Sequence, residues 1–271
     1  MGKMVPKCVN EMLTLGEIVR AAHQRTEPET WDYLVGGSET ETTLRRNRKA
    51  LDEIAFRPRV LRYVNDIDTS REVLGIPLRL PVLLAPIGSL QQINEAGAVA
   101  PALAAKEFGI ASFLSSVCQP GMETTMKEGG GNLIFQLYVR GDEQWVMEHL
   151  AKATELGYGA FCLTVDTAQY GRRERDKMRG FTPFARIDVS GFDFQASLDW
   201  GLVDKVKSQS KLPLILKGIA TEEDARIAIE HEIDVIYLSN HGGRQLDFGR
   251  GSIDVLPEVV AAADGKAKVF M

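Results

Sequence analysis

The chain has 271 residues, of which 44% are hydrophobic and 25% charged, with a formal net charge of −5. That composition supports a sizeable buried core, excludes an intrinsically disordered chain, and argues against nucleic acid as the main partner. Cys8, Cys118 and Cys162 are scattered with no C-x-x-C pair, which points to a reducing compartment rather than to a disulfide framework or a zinc site. No apolar run reaches the roughly 18–20 residues that a membrane helix needs. The polar N-terminus also lacks the apolar segment of a signal peptide. The expectation is therefore a soluble, cytoplasmic chain without a membrane span.

Residues 1–80 read as an N-terminal helical extension. "TLGEIVRAAHQ" places Thr14 and Glu17 at capping-box spacing, and "VGGSETETT" follows as a polar glycine turn. From residue 81 onward, short apolar runs recur: "PVLLAP" (81–86), "ASFLSS" (111–116), "LIFQLYV" (133–139), "AFCLTVD" (160–166), "LPLILKG" (212–218), "DVIYLSN" (234–240) and "KVFM" (268–271). Runs without alternation fit strands buried on both faces. Helical stretches lie between them at 94–109, 142–157 and 221–231, the last with Thr221 and Asp224 at capping spacing. Strand followed by helix, repeated, predicts right-handed βαβ units on a parallel sheet, and the spacing suits a (β/α)8 barrel over residues 81–271. An open doubly wound sheet is the weaker reading, because no G-x-G-x-x-G or GxxxxGK[ST] follows any strand.

Two features interrupt this rhythm. Between Asp166 and Leu212, "GRRERDKMRGFTPF" is too charged for a core, and residues of about 171–200 read as a lid over the strand ends. The chain also stops inside the seventh apolar run, whereas a closed barrel needs eight strands. The expectation is a barrel truncated within strand 7, completed either by chain beyond Met271 or by another segment.

The run "LSNHGGRQLD" (238–247) gathers a histidine, an arginine and two glycines behind an apolar strand. Polar groups close nearly every strand: "APIGS" (85–89) after the first, then Ser115 and Ser116, Gln136 and Tyr138, Thr164 and Asp166, Lys217, and Ser239 with Asn240 and His241. Any one of these is as well read as a satisfied strand-end group. Six strands ending this way point to an active site on the C-terminal face of a barrel. Asp166 is placed to orient His241 and raise its basicity, which makes a general base. Gly242 and Gly243 allow a tight turn or a close approach to a ligand. Arg244 and Arg173 are predicted at the same rim, and two guanidiniums suit a carboxylate or phosphate, although Arg172 and Arg173, in a charged run, are also read as a solvated loop until the resemblance below separates them.

With these motifs in order, the chain resembles the FMN-dependent α-hydroxy acid oxidase and dehydrogenase family, which includes glycolate oxidase, lactate oxidase, mandelate dehydrogenase and the flavin domain of flavocytochrome b2. The likeness runs from about Thr14 to the last residue. It is carried by "WDYLVGGSETETTLRRNRKALDEIAFRPRVL", "LLAPIG", "FQLYV", "LTVDT" with "GRRE", "LILKG" and "LSNHGGRQLD". The resemblance implies a (β/α)8 barrel holding FMN at the strand C-termini and oxidising a small L-2-hydroxy acid to the 2-oxo acid. Oxygen or another acceptor would take the electrons, and the protein would be a homo-oligomer, often a tetramer. His241 would be the base and Asp166 its partner. Arg244 and Arg173 would clamp the substrate carboxylate with Tyr33 and Tyr138. Pro86, Ile87 and Gly88 would lie along the flavin, and Ser115, Gln136 and Thr164 would bond its edge. Lys217 would stabilise negative charge on the reduced ring, and Ser239 would lie nearby.

Several positions depart from the family pattern. Ile87 replaces a common threonine, Val117 replaces a tryptophan of the substrate pocket, and the segment after Arg173 is short. The Asp-Gly-Gly run and the arginine-glycine segment that hold the FMN phosphate are absent. A catalytically incomplete fragment or scaffold, needing a C-terminal partner segment to bind FMN, is therefore the rival expectation. A third reading, type 2 isopentenyl diphosphate isomerase, is disfavoured by the pairing of Arg173 and Arg244 with His241.

Overall fold

The structure is a computed structural model and describes residues 11–187 and 191–271. Cys8 and residues 188–190 of the expected lid lie outside the described residues.

The chain opens with three helices, α1 (Leu15–Arg25), α2 (Pro28–Val35) and α3 (Thr42–Asp52). Both halves of the capping box are made at α1: Thr14 Oγ1 accepts from Glu17 N at 3.3 Å, and Glu17 Oε2 accepts from Thr14 N at 3.1 Å. Helix α1 buries no residue, whereas α2 buries Thr30 and Tyr33. After α3 the chain crosses the surface, leaving Phe56 and Leu61 fully exposed. It then forms an antiparallel hairpin of β1 (Arg71–Val73) and β2 (Ile76–Leu78). This corrects the expectation of a purely helical extension. The two-residue turn Leu74–Gly75 has positive φ at both positions, the geometry that matches strand twist in a tight hairpin. Ile76 and Leu78 alternate inward into the same core cluster as the inner face of the main sheet. The pattern is short and its outer residues are exposed, so the sequence signal is faint.

Seven strands then pair in parallel and in sequence order: β3 (Leu83–Leu84), β4 (Ala111–Ser115), β5 (Asn132–Leu137), β6 (Phe161–Thr164), β7 (Leu214–Ile219), β8 (Val235–Leu238) and β9 (Lys268–Phe270). The order never reverses, so the sheet has no topological switch point and is not doubly wound. Right-handed crossovers put the helices on one face. The other face turns inward around a second core. Leu214, Ile215 and Leu216 are consecutive and all fully buried, which explains why these strands show no alternation. The outward set (Leu133, Phe135, Phe161, Leu163, Leu214, Leu216) packs on the helices. The inward set (Phe113, Ile134, Cys162, Ile215, Val235) packs with the hairpin below.

The connecting helices are α4 (Val99–Phe108), α5 (Met122–Glu128), α6 (Glu143–Glu155), α7 (Glu174–Arg179), α8 (Phe192–Ala196), α9 (Trp200–Gln209), α10 (Glu222–Glu230) and α11 (Ser252–Ala263). Side chains cap three of them, satisfying backbone N–H groups that the helix itself leaves unpaired. Asp142 accepts from Trp145 N at 3.0 Å, Asp199 from Leu202 N at 2.9 Å, and Thr221 from Asp224 N at 3.1 Å. Among the described residues, no helix is long and apolar enough to cross a membrane.

Candidate active site

The strand period of two fixes the floor of the site. Above the apolar layer of Phe113, Ile134, Cys162 and Ile215, the next inward positions are Ser115, Gln136, Thr164 and Lys217. They sit in register on neighbouring strands, with Ser115 opposite Gln136 and Thr164 opposite Lys217. Gln136 Nε2 donates to Thr164 Oγ1 at 2.8 Å, and the buried Gln136 Oε1 has no partner among the described residues. A buried acceptor left unpaired costs about 1–3 kcal/mol, so this oxygen calls for a donor from a bound group. Ser115, Gln136 and Thr164 form the layer beneath the cavity rather than its wall. Burial pushes the neighbouring Cys162 thiol up to about 12 and leaves it inert.

His241 follows β8 in a left-handed backbone conformation, φ 58°, a strained state for a non-glycine residue that marks a specified position. Its N–H is held by Ser239 Oγ at 3.0 Å. The ring has one consistent protonation pattern. Nδ1 lies 2.9 and 3.1 Å from the two carboxylate oxygens of Asp166, which only accept, so Nδ1 carries the hydrogen. Nε2 is left with its lone pair and accepts from the Tyr138 hydroxyl at 3.1 Å. Burial pushes the Tyr138 pKa up and keeps that hydroxyl protonated. Lys217 Nζ lies 3.3 Å from Nδ1. A lysine cannot accept, so it acts there as a nearby positive charge.

Burial and Lys217 lower the His241 pKa to about 4, against the opposing pull of Asp166. Burial alone would raise the Asp166 pKa, but Lys217 and His241 hold it below its ordinary value. At neutral pH the pair is thus a neutral imidazole on a carboxylate. Gly218 closes the arrangement from β7. Its φ is 119°, and an added Cβ would come within 2.6 Å of the Asp166 Cβ, so only glycine leaves the carboxylate in place.

The arginines come from two loops braced against the N-terminal helices. Arg244 Nη1 donates to Tyr33 O at 2.7 Å and Gly36 O at 2.6 Å, and its guanidinium lies 4.9 Å from the Tyr33 ring centre. Arg173 lies 5.7 Å from the same ring and 4.5 Å from Tyr170, and its Nε donates to Arg244 O at 3.4 Å. Neither arginine has an ion-pair partner within 4 Å among the described residues. Arg172 is exposed and pairs with Glu174 at 3.1 Å.

The loop is fixed on both sides. Gln245 Nε2 bonds the carbonyls of Asp166 and Gln169, at 3.2 and 2.8 Å. Asp247 caps α3 from 204 residues away, accepting from Thr43 N at 2.7 Å, Thr40 N at 3.1 Å and Thr42 N at 3.3 Å. Burial opposes its ionisation, yet the backbone N–H groups of Thr43 and Phe248 hold its carboxyl far below the usual range.

These parts open on a cavity of about 630 Å³. Of the residues singled out in the sequence, Tyr33, Pro86, Ile87, Gly88, Tyr138, Arg173, Lys217, Ser239, His241 and Arg244 line it, and Asp166 stands behind His241. Sequence reasoning missed Arg140, Tyr170, Arg186, Asp193, Gln195 and Gln245, which also line it. Tyr170 is adjacent to the quoted "GRRE" run. Arg140 and Gln245 lie in loops, Arg186 in a single 3-10 turn, and Asp193 and Gln195 on the short helix α8, all too short for periodicity to reveal their direction.

The arrangement can bind a carboxylate beside a neutral base over a polar floor with an unmet acceptor. Comparison with known proteins agrees in kind. The family described as FMN-dependent dehydrogenase matches residues 22–193 and 184–271. Glycolate oxidase of Spinacia oleracea is 35% identical over 283 residues, covering 96% of this chain and 77% of the relative. L-lactate oxidase of a Nostoc strain is 34% identical, with 97% and 80% covered. A crystal structure of mandelate oxidase superimposes with a TM-score of 0.88 at 34% identity, covering 95% of this chain and 77% of that one.

Proposed function

The chain belongs to the FMN-dependent α-hydroxy acid oxidase and dehydrogenase family, and from that premise we propose that it oxidises a small L-2-hydroxy acid to the 2-oxo acid. The observation that carries the reading is the neutral His241, its Nε2 lone pair held by the Tyr138 hydroxyl at the edge of a cavity that also holds the Arg173–Arg244 pair.

The residues present fit FMN. Pro86, Ile87 and Gly88 offer a largely apolar wall. The unpartnered Gln136 oxygen and the buried Lys217 suit the polar edge of a ring system that carries both N–H and carbonyl groups. FMN, when bound, accepts the two electrons removed from the hydroxy acid and passes them to oxygen or another acceptor.

The protein's own part is to hold the substrate and move a proton. Arg244, with Nη1 committed to Tyr33 O and Gly36 O, has its remaining donors for a carboxylate, and Arg173 completes the clamp. The substrate loses two protons and two electrons. One proton passes to His241 Nε2, and the other proton and the electron pair, both leaving from the carbinol carbon, would be taken up by bound FMN. Asp166 stabilises the imidazolium as it forms. Lys217 disfavours that imidazolium before substrate arrives, which keeps the base free at neutral pH. The test is anaerobic addition of glycolate, lactate or mandelate to the FMN-loaded protein. Bleaching of the visible flavin absorbance is expected; no bleaching with these three or with any longer 2-hydroxy acid, or no flavin retained, refutes the reading.

A further inference from the structure

The cavity is more cationic than a single carboxylate requires. Arg173 and Arg244, both set against Tyr33, are enough to clamp one. Arg140 and Arg186 also line it together with Lys217, and Asp193 is the one carboxylate on the wall among the described residues. Arg186 shares the Tyr170 ring with the clamp, lying 4.1 Å from the ring centre while Arg173 lies 4.5 Å from it. Among the described residues its Nε is buried with no hydrogen-bond acceptor, and it has no ion-pair partner within 4 Å. Asp176 faces this group of arginines from α7, but burial raises its pKa and weakens it as a counter-charge. Arg186 also borders a shallower cavity on its outer side, so its guanidinium can be reached from solvent.

Resting on the proposed oxidation, we propose that the preferred substrate is a 2-hydroxy dicarboxylic acid. The first carboxylate goes to Arg173 and Arg244, and the carbinol carbon is presented to His241. The second carboxylate goes to Arg186, beside Tyr170. Val117, which also lines the cavity, leaves room for the longer acid. A substrate ending in a methyl group leaves Arg186 without its anion, and a site built around a polar partner discriminates against analogues that lack it.

The test is calorimetric titration of the FMN-loaded protein with 2-oxoglutarate and with 2-oxopentanoate, which replaces the second carboxylate by a methyl group. The expected result is binding of 2-oxoglutarate tighter by about tenfold or more, with added salt shrinking the difference. Arg186→Gln should bring the two affinities to within about threefold of each other, and Arg186→Lys, which keeps the charge, should retain part of the preference. Equal affinities in the parent protein, or a preference that survives Arg186→Gln, would overturn the proposal. Failure of the underlying oxidation shows separately, as a flavin that no 2-hydroxy acid bleaches.

Discussion

Replacing Asp166 by asparagine changes one atom and removes the logic of the base. In the parent, a pure acceptor faces His241 Nδ1 at 2.9 and 3.1 Å, so Nε2 keeps its lone pair. An asparagine amide can donate to Nδ1 instead, and Lys217 Nζ, 3.3 Å away, favours the same outcome. The proton then sits on Nε2, and the base is blocked. Losing a charge-assisted bond to the forming imidazolium costs about 1.5–3 kcal/mol. That alone slows turnover by roughly 10- to 150-fold. With the tautomer reversed as well, the expected fall in kcat is about 10²–10⁴-fold. The assay is single-turnover flavin reduction by the best substrate, with circular dichroism and bound-flavin absorbance confirming that the variant is folded and loaded. An Asp166→Asn protein that keeps its flavin and reduces it within about threefold of the parent rate would refute the tautomer argument.

Four further outcomes follow from the same geometry. The His241 pKa in the folded protein, about 4, lies below the ordinary 6.5, so the acid limb of kcat/KM should fall well below pH 6.5; a limb at or above 6.5 would contradict it. By linkage, the unfolded chain binds the proton first as pH drops. This contribution to stability is therefore complete above pH 6.5 and lost towards about pH 4, as denaturation midpoints across that window would show. Arg244→Lys cannot bridge Tyr33 O and Gly36 O and still offer a planar pair of donors, so KM should rise by roughly 10- to 100-fold, more than kcat falls. Asp247→Ala removes the cap of α3 and should cost about 2 kcal/mol, seen as a Tm lower by about 4–8 °C.

The sheet was legible because its strands are buried on both faces, so runs such as Leu214–Ile215–Leu216 carry no polar interruption until they reach the rim. The same period of two put Ser115, Gln136, Thr164 and Lys217 on one inner layer, and the strand-end polar residues could be read as a set. Helix α11 was less visible, because Pro257 inside it reads as a break. The hairpin was hidden by its length, and Arg140 and Arg186 by belonging to loops that fold back over the cavity. Asp247 gave no local signal at all, because the helix it caps begins some 200 residues earlier.

That distant cap also sets a timetable. As the chain is synthesised, α3 is complete long before residue 247 exists, and its first backbone N–H groups wait for an acceptor some 200 residues further on. Contacts spanning such a separation form late in folding, because the loop they close is long. The Asn47–Asn240 amide pair, made at 2.8 and 3.0 Å, spans 193 residues in the same way. The closure that finishes the N-terminal helices is therefore the one that sets the His241–Arg244 loop in place. During refolding, helical content should return first and the working geometry of the base last, in a single step shared by α3 and the His241–Asp247 loop.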